Sequence, residues 1–311
     1  MSTMVAGALD RLDALAVEHG LVLSADVPLA PLTTLRVGGR ADRMAAPDTL
    51  DGLAAVLRLA RHAGVPSFML GKGSDIVVAD AGVRGLVVRV RADAASTDGS
   101  TLVAEAGASM TALAKRCAAA GLAGFDWAIS IPGTVGGAVW ANAGAHDGEM
   151  ARVVRHVDVL GTDGERRRIG VQECGFAYRD SRFKHGDEVV LAATIGLEKG
   201  DPDEIRALVD GHQARRRATQ PLADQNAGSV FRNPPDDHAG RLIEAAGLKG
   251  HREGSARVSE LHANFIVVDR GGRAADVRAL GDHVRATVAE RFGVDLQYEI
   301  EFVGDWHEGT T

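Results

Sequence analysis

Only two cysteines, Cys117 and Cys174, occur in 311 residues, and they stand far apart without CxxC or CxxH spacing. That excludes a disulfide framework and a zinc motif, and fits a reducing compartment. Basic charge is also short: 35 Lys and Arg against 42 Asp and Glu leave a net charge of -7 and a pI near 5.9. The surface therefore holds no general attraction for phosphate backbones or anionic membranes. No run is long and apolar enough to span a bilayer, and the opening MSTMVAGALDRLDALAVEHG has no basic start before an apolar core. These absences predict a cytoplasmic protein whose partners are neither nucleic acid nor membrane.

What is present suits a cofactor protein. The chain is longer than one core usually organises, so two or three compact units are expected. Hydrophobic residues make up 45% and charged residues 25%, enough to bury a sizeable core. Glycine is enriched, with 38 residues where about 7% is usual, and suits tight turns or backbone held close to a ligand.

Periodicity predicts an α+β pattern. A helix is expected over 48–64, closed by Gly64, followed by strands at 65–70, 76–78, 86–90 and 102–106. A helix over 109–121 with Ser109 as N-cap follows, whereas the glycine-rich stretch 131–144 fits neither period. Further strands are expected at 153–160, 189–197 and 263–268, and helices at 203–216, 239–246 and 274–292. In the last helix Val277, Leu280, Val284 and Val288 form one apolar stripe.

Two glycine loops carry the first chemical signal. Gly71-Lys72-Gly73-Ser74-Asp75 follows a strand and could present successive N–H groups to an anion, or simply turn the chain. It lacks a GxGxxG continuation into a helix and a GKS or GKT after four spacers, which argues against Rossmann and P-loop folds. Ile131-Pro132-Gly133-Thr134-Val135-Gly136-Gly137-Ala138, followed by Asn142 and Gly144, leaves backbone as its main polar surface. Such a run suits a flat ring or a pyrophosphate, or a buried bend.

GKGSD, IPGTVGGAVWANAGA, FAYRDSRFK, NAGSVFRNP and YEIEFVG occur in this order between Leu32 and Gly304. Together they resemble the UDP-N-acetylenolpyruvoylglucosamine reductase (MurB) family. The resemblance implies an α+β fold: a two-subdomain FAD-binding domain of the vanillyl-alcohol oxidase (PCMH) type plus a C-terminal α+β substrate-binding domain. The expected division is 1–91 and 92–212 for the FAD subdomains, 213–294 for the substrate domain, and 295–311 as a C-terminal strand returning to the active site. The implied activity is NADPH-driven reduction of UDP-N-acetylenolpyruvoylglucosamine to UDP-N-acetylmuramate through non-covalent FAD, a step of peptidoglycan precursor synthesis. A monomer is expected.

By motif position, the resemblance implies Ser229 as proton donor, with Arg179 and Glu299 completing the catalytic set. FAD would be held by Gly71, Lys72, Gly73, Ser74, Asp75, Ile131, Pro132, Gly133, Thr134, Gly136, Gly137, Asn142 and Gly144. Substrate contacts are assigned to Tyr178, Arg217, Asn233 and His262. Chemically, a hydroxyl standing clear after Ala-Gly can deliver a proton as general acid. A guanidinium fork suits a carboxylate and the charge that develops beside it. Alternation over Tyr298–Phe302 predicts a strand with Glu299 and Glu301 on one face. Arg215-Arg216-Arg217 fits either a substrate diphosphate or a helix C-terminus in solvent. No His, Asp or Glu grouping has metal-binding spacing, so no metal is expected.

Some positions depart from the family pattern. The link between the 189–197 strand and NAGS is short and carries no tyrosine, since only Tyr178 and Tyr298 exist; this points to the shorter, type II subclass. Asp75 stands where asparagine is common, Glu301 where the family carries arginine, and Trp140 is bulky for its setting. Two other readings fit the same motifs. One is a sugar or alcohol oxidase of the same fold, which would often tether flavin through histidine, yet neither glycine loop contains one. The other is a non-catalytic sugar-nucleotide sensor, which would not need Ser229, Arg179 and Glu299.

Overall fold

The computed structural model describes residues 3–306; residues 1–2 and 307–311, the outer ends of the expected segments 1–91 and 295–311, lie outside the described residues. The chain folds into two compact units, one built from 3–23, 44–71 and 87–216, the other from 24–43, 72–86 and 217–306. Among the described residues no helix is long and apolar enough to cross a membrane.

The first unit is organised by an antiparallel five-stranded sheet in the order Arg166–Gly170, Val154–Leu160, Val189–Gly196, Thr101–Glu105, Ala95–Asp98. Its central register sets Val157 opposite both Ile169 and Ala193, and Ala193 opposite Ala104. Strand alternation sends Leu102, Ala104, Val157 and Val159 into a core completed by Met110, Leu113 and Cys117 of the helix Met110–Ala119. Burying each of the Leu, Val and Met side chains contributes about 1.5–3 kcal/mol. Phe125 and Trp127 meet edge-on in the same core at 5.4 Å. Burial pushes the Cys117 and Cys174 thiols up to about 11, as expected of inert structural cysteines.

The helix Leu50–Ala63 shows why its boundaries were readable. Thr49 caps it by accepting Gly52 N–H at 3.1 Å, and Gly64 closes it in the left-handed region at φ 72°. Its buried face carries Leu53, Val56, Leu57 and Ala60, while Arg58 donates to Gly164 O at 2.7 and 2.9 Å. The stretch that fitted neither period contains a short helix, Val135–Trp140. Two of its first N–H groups are spent on distant carbonyls, Val135 N to Ala108 O and Gly136 N to Ala106 O.

The second unit has an antiparallel sheet ordered Gln225–Asn226, Ile266–Val268, Ala256–Val258, Arg252–Glu253. The helix Ala274–Phe292 packs its expected stripe, Val277, Leu280, Val284 and Val288, into this unit's core. Asp80 caps that helix from outside it, its carboxylate accepting Ala274 N–H at 2.9 Å and Ala275 N–H at 3.0 Å. A parallel ladder joins Glu301–Val303 to Ile76–Val78. The predicted strand over Tyr298–Phe302 is thus shorter: Tyr298 makes only an isolated bridge to Phe231, and regular pairing begins at Glu301.

Candidate active site

In the first unit Gly71, which opens one glycine loop, meets Thr134 of the other. A Cβ added to Gly71 would fall 2.7 Å from Thr134 Oγ1, and one on Gly136 would fall 2.9 Å from Ala106 Cβ. Packing therefore demands both glycines. Gly137 differs: it is exposed, and an added Cβ would find only Thr134 Oγ1, at 3.8 Å. The protein's own atoms do not require that glycine, which leaves open backbone for a flat or phosphorylated ligand to approach. The loop thus fits the FAD that its sequence implies.

Arg179 lies beside this loop. It sits at φ 54°, a sparsely populated conformation for a residue with a side chain and a mark of functional sites. Its Nη2 donates to Gly144 O at 2.8 Å, and its guanidinium carbon lies 5.1 Å from the Tyr178 ring centroid. The turn carrying Tyr178 and Arg179 is closed by paired hydrogen bonds between Ala177 and Asp180. Two buried polar residues anchor it. Asn142 donates to Ala177 O at 2.8 Å and accepts from Ala151 N–H at 2.9 Å, and Ser181 Oγ donates to Trp140 O at 2.6 Å. The Asn142 amide is therefore engaged with the protein's own chain. Trp140 is covered by Lys184, whose Nζ lies 4.4 Å from its ring centroid. The link from Val189–Gly196 to the helix Pro202–Thr219 is short, holding only the strand Glu198–Lys199.

The second unit assembles Ser229. Gly228, at φ 79°, donates its N–H to Asn226 Oδ1 at 3.0 Å and turns the chain so that Ser229 follows the bend. Beyond it, Val230 N donates to Asn264 O at 2.8 Å, and the Asn264 side chain both accepts Phe231 N–H at 2.9 Å and donates to Phe231 O at 2.8 Å. On the other side Glu299 N donates to Val230 O at 2.8 Å and Arg232 N to Gln297 O at 2.9 Å. Ser229 and Glu299 thus stand on adjacent, paired segments. Phe231 and Tyr298 stack at 5.0 Å, and a Cβ on Gly281 would lie 2.5 Å from the Tyr298 hydroxyl, so that glycine admits the ring.

Ser229, Asn233 and His262 line one cleft of about 320 Å³ together with His238, Arg241 and Asn264. Asn233 Oδ1 accepts Ala239 N–H at the start of the helix Ala239–Ala245. His262 packs edge-on against Phe265 at 4.7 Å, and burial holds its imidazole below the usual histidine range. Ser74 O lies 4.0 Å from a Cβ built on Gly228, so the 72–75 loop borders the Ser229 bend; partial burial holds the Lys72 ammonium below the usual lysine range. Asp75 O accepts Glu301 N–H at 2.9 Å. Arg217 is exposed, while its neighbour Arg216 is half-buried, with its guanidinium lowered by that burial.

Sequence reasoning did not single out Asn264, Ser181 or Asp80. Asn264 and Ser181 are buried polar residues, and all three tie their partners across long stretches of chain. The one local signal was an asparagine set against an apolar run in Ala263-Asn264-Phe265-Ile266.

Residues 41–170 match the model of an FAD binding domain. The class these features define is an α+β flavoprotein with an FAD-binding domain and a C-terminal α+β domain. Residues 220–303 match the UDP-N-acetylenolpyruvoylglucosamine reductase C-terminal domain. The chain is 45% identical over 297 residues to UDP-N-acetylenolpyruvoylglucosamine reductase 2 of Symbiobacterium thermophilum, covering 95% of this chain and 96% of that one. It is 46% identical over 285 residues to the reductase of Anaeromyxobacter dehalogenans, covering 91% and 86%. The crystal structure of MurB from Thermus caldophilus superimposes with a TM-score of 0.79 at 34% identity, covering 91% of this chain and 99% of that one. The chain belongs to the UDP-N-acetylenolpyruvoylglucosamine reductase family.

Proposed function

We propose that this protein reduces UDP-N-acetylenolpyruvoylglucosamine to UDP-N-acetylmuramate, with NADPH as reductant, and so serves peptidoglycan precursor synthesis. The carrying observation is Ser229, held at a cleft by the Asn264 clamp and paired through Val230 to the Glu299 segment. Bound FAD would accept two electrons from NADPH and pass a hydride to the methylene carbon of the enolpyruvyl group.

The remaining chemistry belongs to the chain. Carbanion character develops at the carbon bearing the carboxylate, and the Ser229 Oγ–H supplies the proton that carbon needs. Arg179, with a fork that matches a carboxylate, and Glu299 polarise that carboxylate and spread the developing charge. Gly71, Lys72, Gly73, Ser74, Asp75 and the 131–137 loop with Asn142 and Gly144 hold FAD. Tyr178, Asn233, His262 and Arg217 contact the sugar nucleotide. The short link after Gly196 supports the type II subclass. The division into FAD subdomains 1–91 and 92–212, a substrate domain 213–294 and a returning strand 295–311 is part of this reading. So are a monomeric state and a cytoplasmic location without nucleic-acid or membrane partners, which the net charge of -7 supports.

The test is visible absorption of the FAD-loaded protein under anaerobic conditions. Flavin bands should bleach with NADPH and return only when the enolpyruvyl sugar nucleotide is added. Reoxidation by oxygen alone, with no response to that nucleotide, would overturn the assignment in favour of an oxidase.

A further inference from the structure

In the second unit His251 and Glu253, two residues apart, and His283, 30 residues beyond Glu253, bring one ligand atom each to within 4.8 Å of the others. The three stand on separate supports. The His251 backbone is fixed by its N–H to Leu248 O at 3.0 Å and by Val258 N–H to its carbonyl at 2.9 Å. Glu253 belongs to the strand Arg252–Glu253, and His283 projects from the helix Ala274–Phe292. The two imidazoles stack at 4.4 Å and 11°.

His251 Nε2 is buried and has no hydrogen-bond partner among the described residues. Its nearest acid oxygen, Glu253 Oε1, lies 3.5 Å away, at the outer edge of hydrogen-bonding range. A buried nitrogen in this state calls for an explanation, and an ion is one. The neighbouring Arg252 does not compete for Glu253, because it bonds Asp269 at 2.6 Å.

The geometry points to a binding site for a divalent first-row transition cation, Zn²⁺ being the physiological fit, held by His251, Glu253 and His283. Two imidazoles and one carboxylate form a donor set that suits Zn²⁺ and its neighbours, while Mg²⁺ and Ca²⁺ prefer oxygen cages. Bonds of about 2.0–2.2 Å place donors roughly 3.3–3.5 Å apart on a tetrahedron, so the cluster needs to close by little more than 1 Å, about one small side-chain rotation. Two parallel rings cannot both aim an in-plane lone pair at one ion. Binding therefore turns one imidazole out of the stack and joins the 252–258 hairpin to the helix. The fourth position is left to water, and the role is that of a staple.

The test uses the full-length, FAD-loaded protein stripped of metal with chelator. Calorimetric titration with Zn²⁺ should show one site that His251→Ala and His283→Ala each abolish and Glu253→Gln weakens, whereas Mg²⁺ should give no heat. Wild type should melt about 5 °C higher at a hundredfold excess of Zn²⁺ over Kd, and the histidine variants should not respond. Melting in chelator reports whether each variant is folded, and the Glu253→Gln change, on a half-buried strand end, gives a second line if one histidine variant is not. Absence of a Zn²⁺ site in wild type, binding that survives in a folded histidine variant, or undiminished affinity in folded Glu253→Gln would overturn the proposal.

Discussion

Asn264 and Phe231 exchange two hydrogen bonds, the side-chain amide of one reading the peptide N–H and C=O of the other at 2.9 and 2.8 Å. Asn264 is 4% exposed and Phe231 2% exposed, so neither peptide group has water as an alternative. The side chain does what a neighbouring strand would do, and it does so two residues from Ser229.

Replacing Asn264 by Leu should strand a buried donor and a buried acceptor, at a cost of at least about 2 kcal/mol. Denaturant melts would show this. Stopped-flow traces should show FAD reduction by NADPH unchanged and reoxidation by the enolpyruvyl substrate slowed. An unaltered melt would remove the clamp from the account.

Ser229→Ala should leave the flavin reducible by NADPH and slow turnover by about 10²- to 10⁴-fold. Solvent deuterium incorporation at the lactyl carbon follows the same step. A variant that turns over at the normal rate would mean that another group supplies the proton.

The two adjacent glycines should separate packing from ligand binding. Gly136→Val meets Ala106 and should lower the stability of the apoprotein. Gly137→Ala meets nothing closer than 3.8 Å and should stabilise the helix by up to about 1 kcal/mol while weakening FAD binding. Fluorescence titration with FAD measures the second effect; affinity unchanged in Gly137→Ala would place the flavin elsewhere.

Acidification should destabilise the protein through its half-buried imidazoles. Burial lowers His262, and burial followed by His212 and Arg215 lowers His146, whose ring stacks on His212 at 3.8 Å. The unfolded chain takes up these protons near pH 6.5, before the folded one does. The associated stability is complete above that pH and is lost as pH falls through the lower folded values. His262→Gln should flatten urea midpoints measured from pH 7.5 to 5; an equally steep profile would assign the loss to other groups.

The legible parts of the fold were those whose causes are local. Leu50–Ala63 has a side-chain cap, a left-handed glycine and a 3.6-residue stripe, and Ala274–Phe292 has its stripe and Gly293 at φ 67°. Val135–Trp140 was not legible, because two of its six residues are glycine and its start is held by Ala106 and Ala108. Tertiary bonding there overrides poor helix propensity. The Tyr298–Phe302 alternation mispredicted a full strand because its first part bonds the 230–232 segment, which only the folded chain supplies. In the site, the Ser229, Asn233 and His262 cleft was reachable through family motifs. Asn264, whose partner is 33 residues away, and the cluster of His251, Glu253 and His283 were hidden by sequence distance.

The Asp80 cap on Ala274 spans 194 residues, and this sets an order of events during synthesis. The second unit draws on segments near residues 24–43 and 72–86 that leave the ribosome well before the helix and the ladder strand they pair with. Until Glu301–Val303 emerges, Ile76–Val78 has no parallel partner and remains an exposed apolar edge. A chain stalled or truncated before residue 301 should therefore recruit chaperones or aggregate through that edge, however well the segments already made have folded.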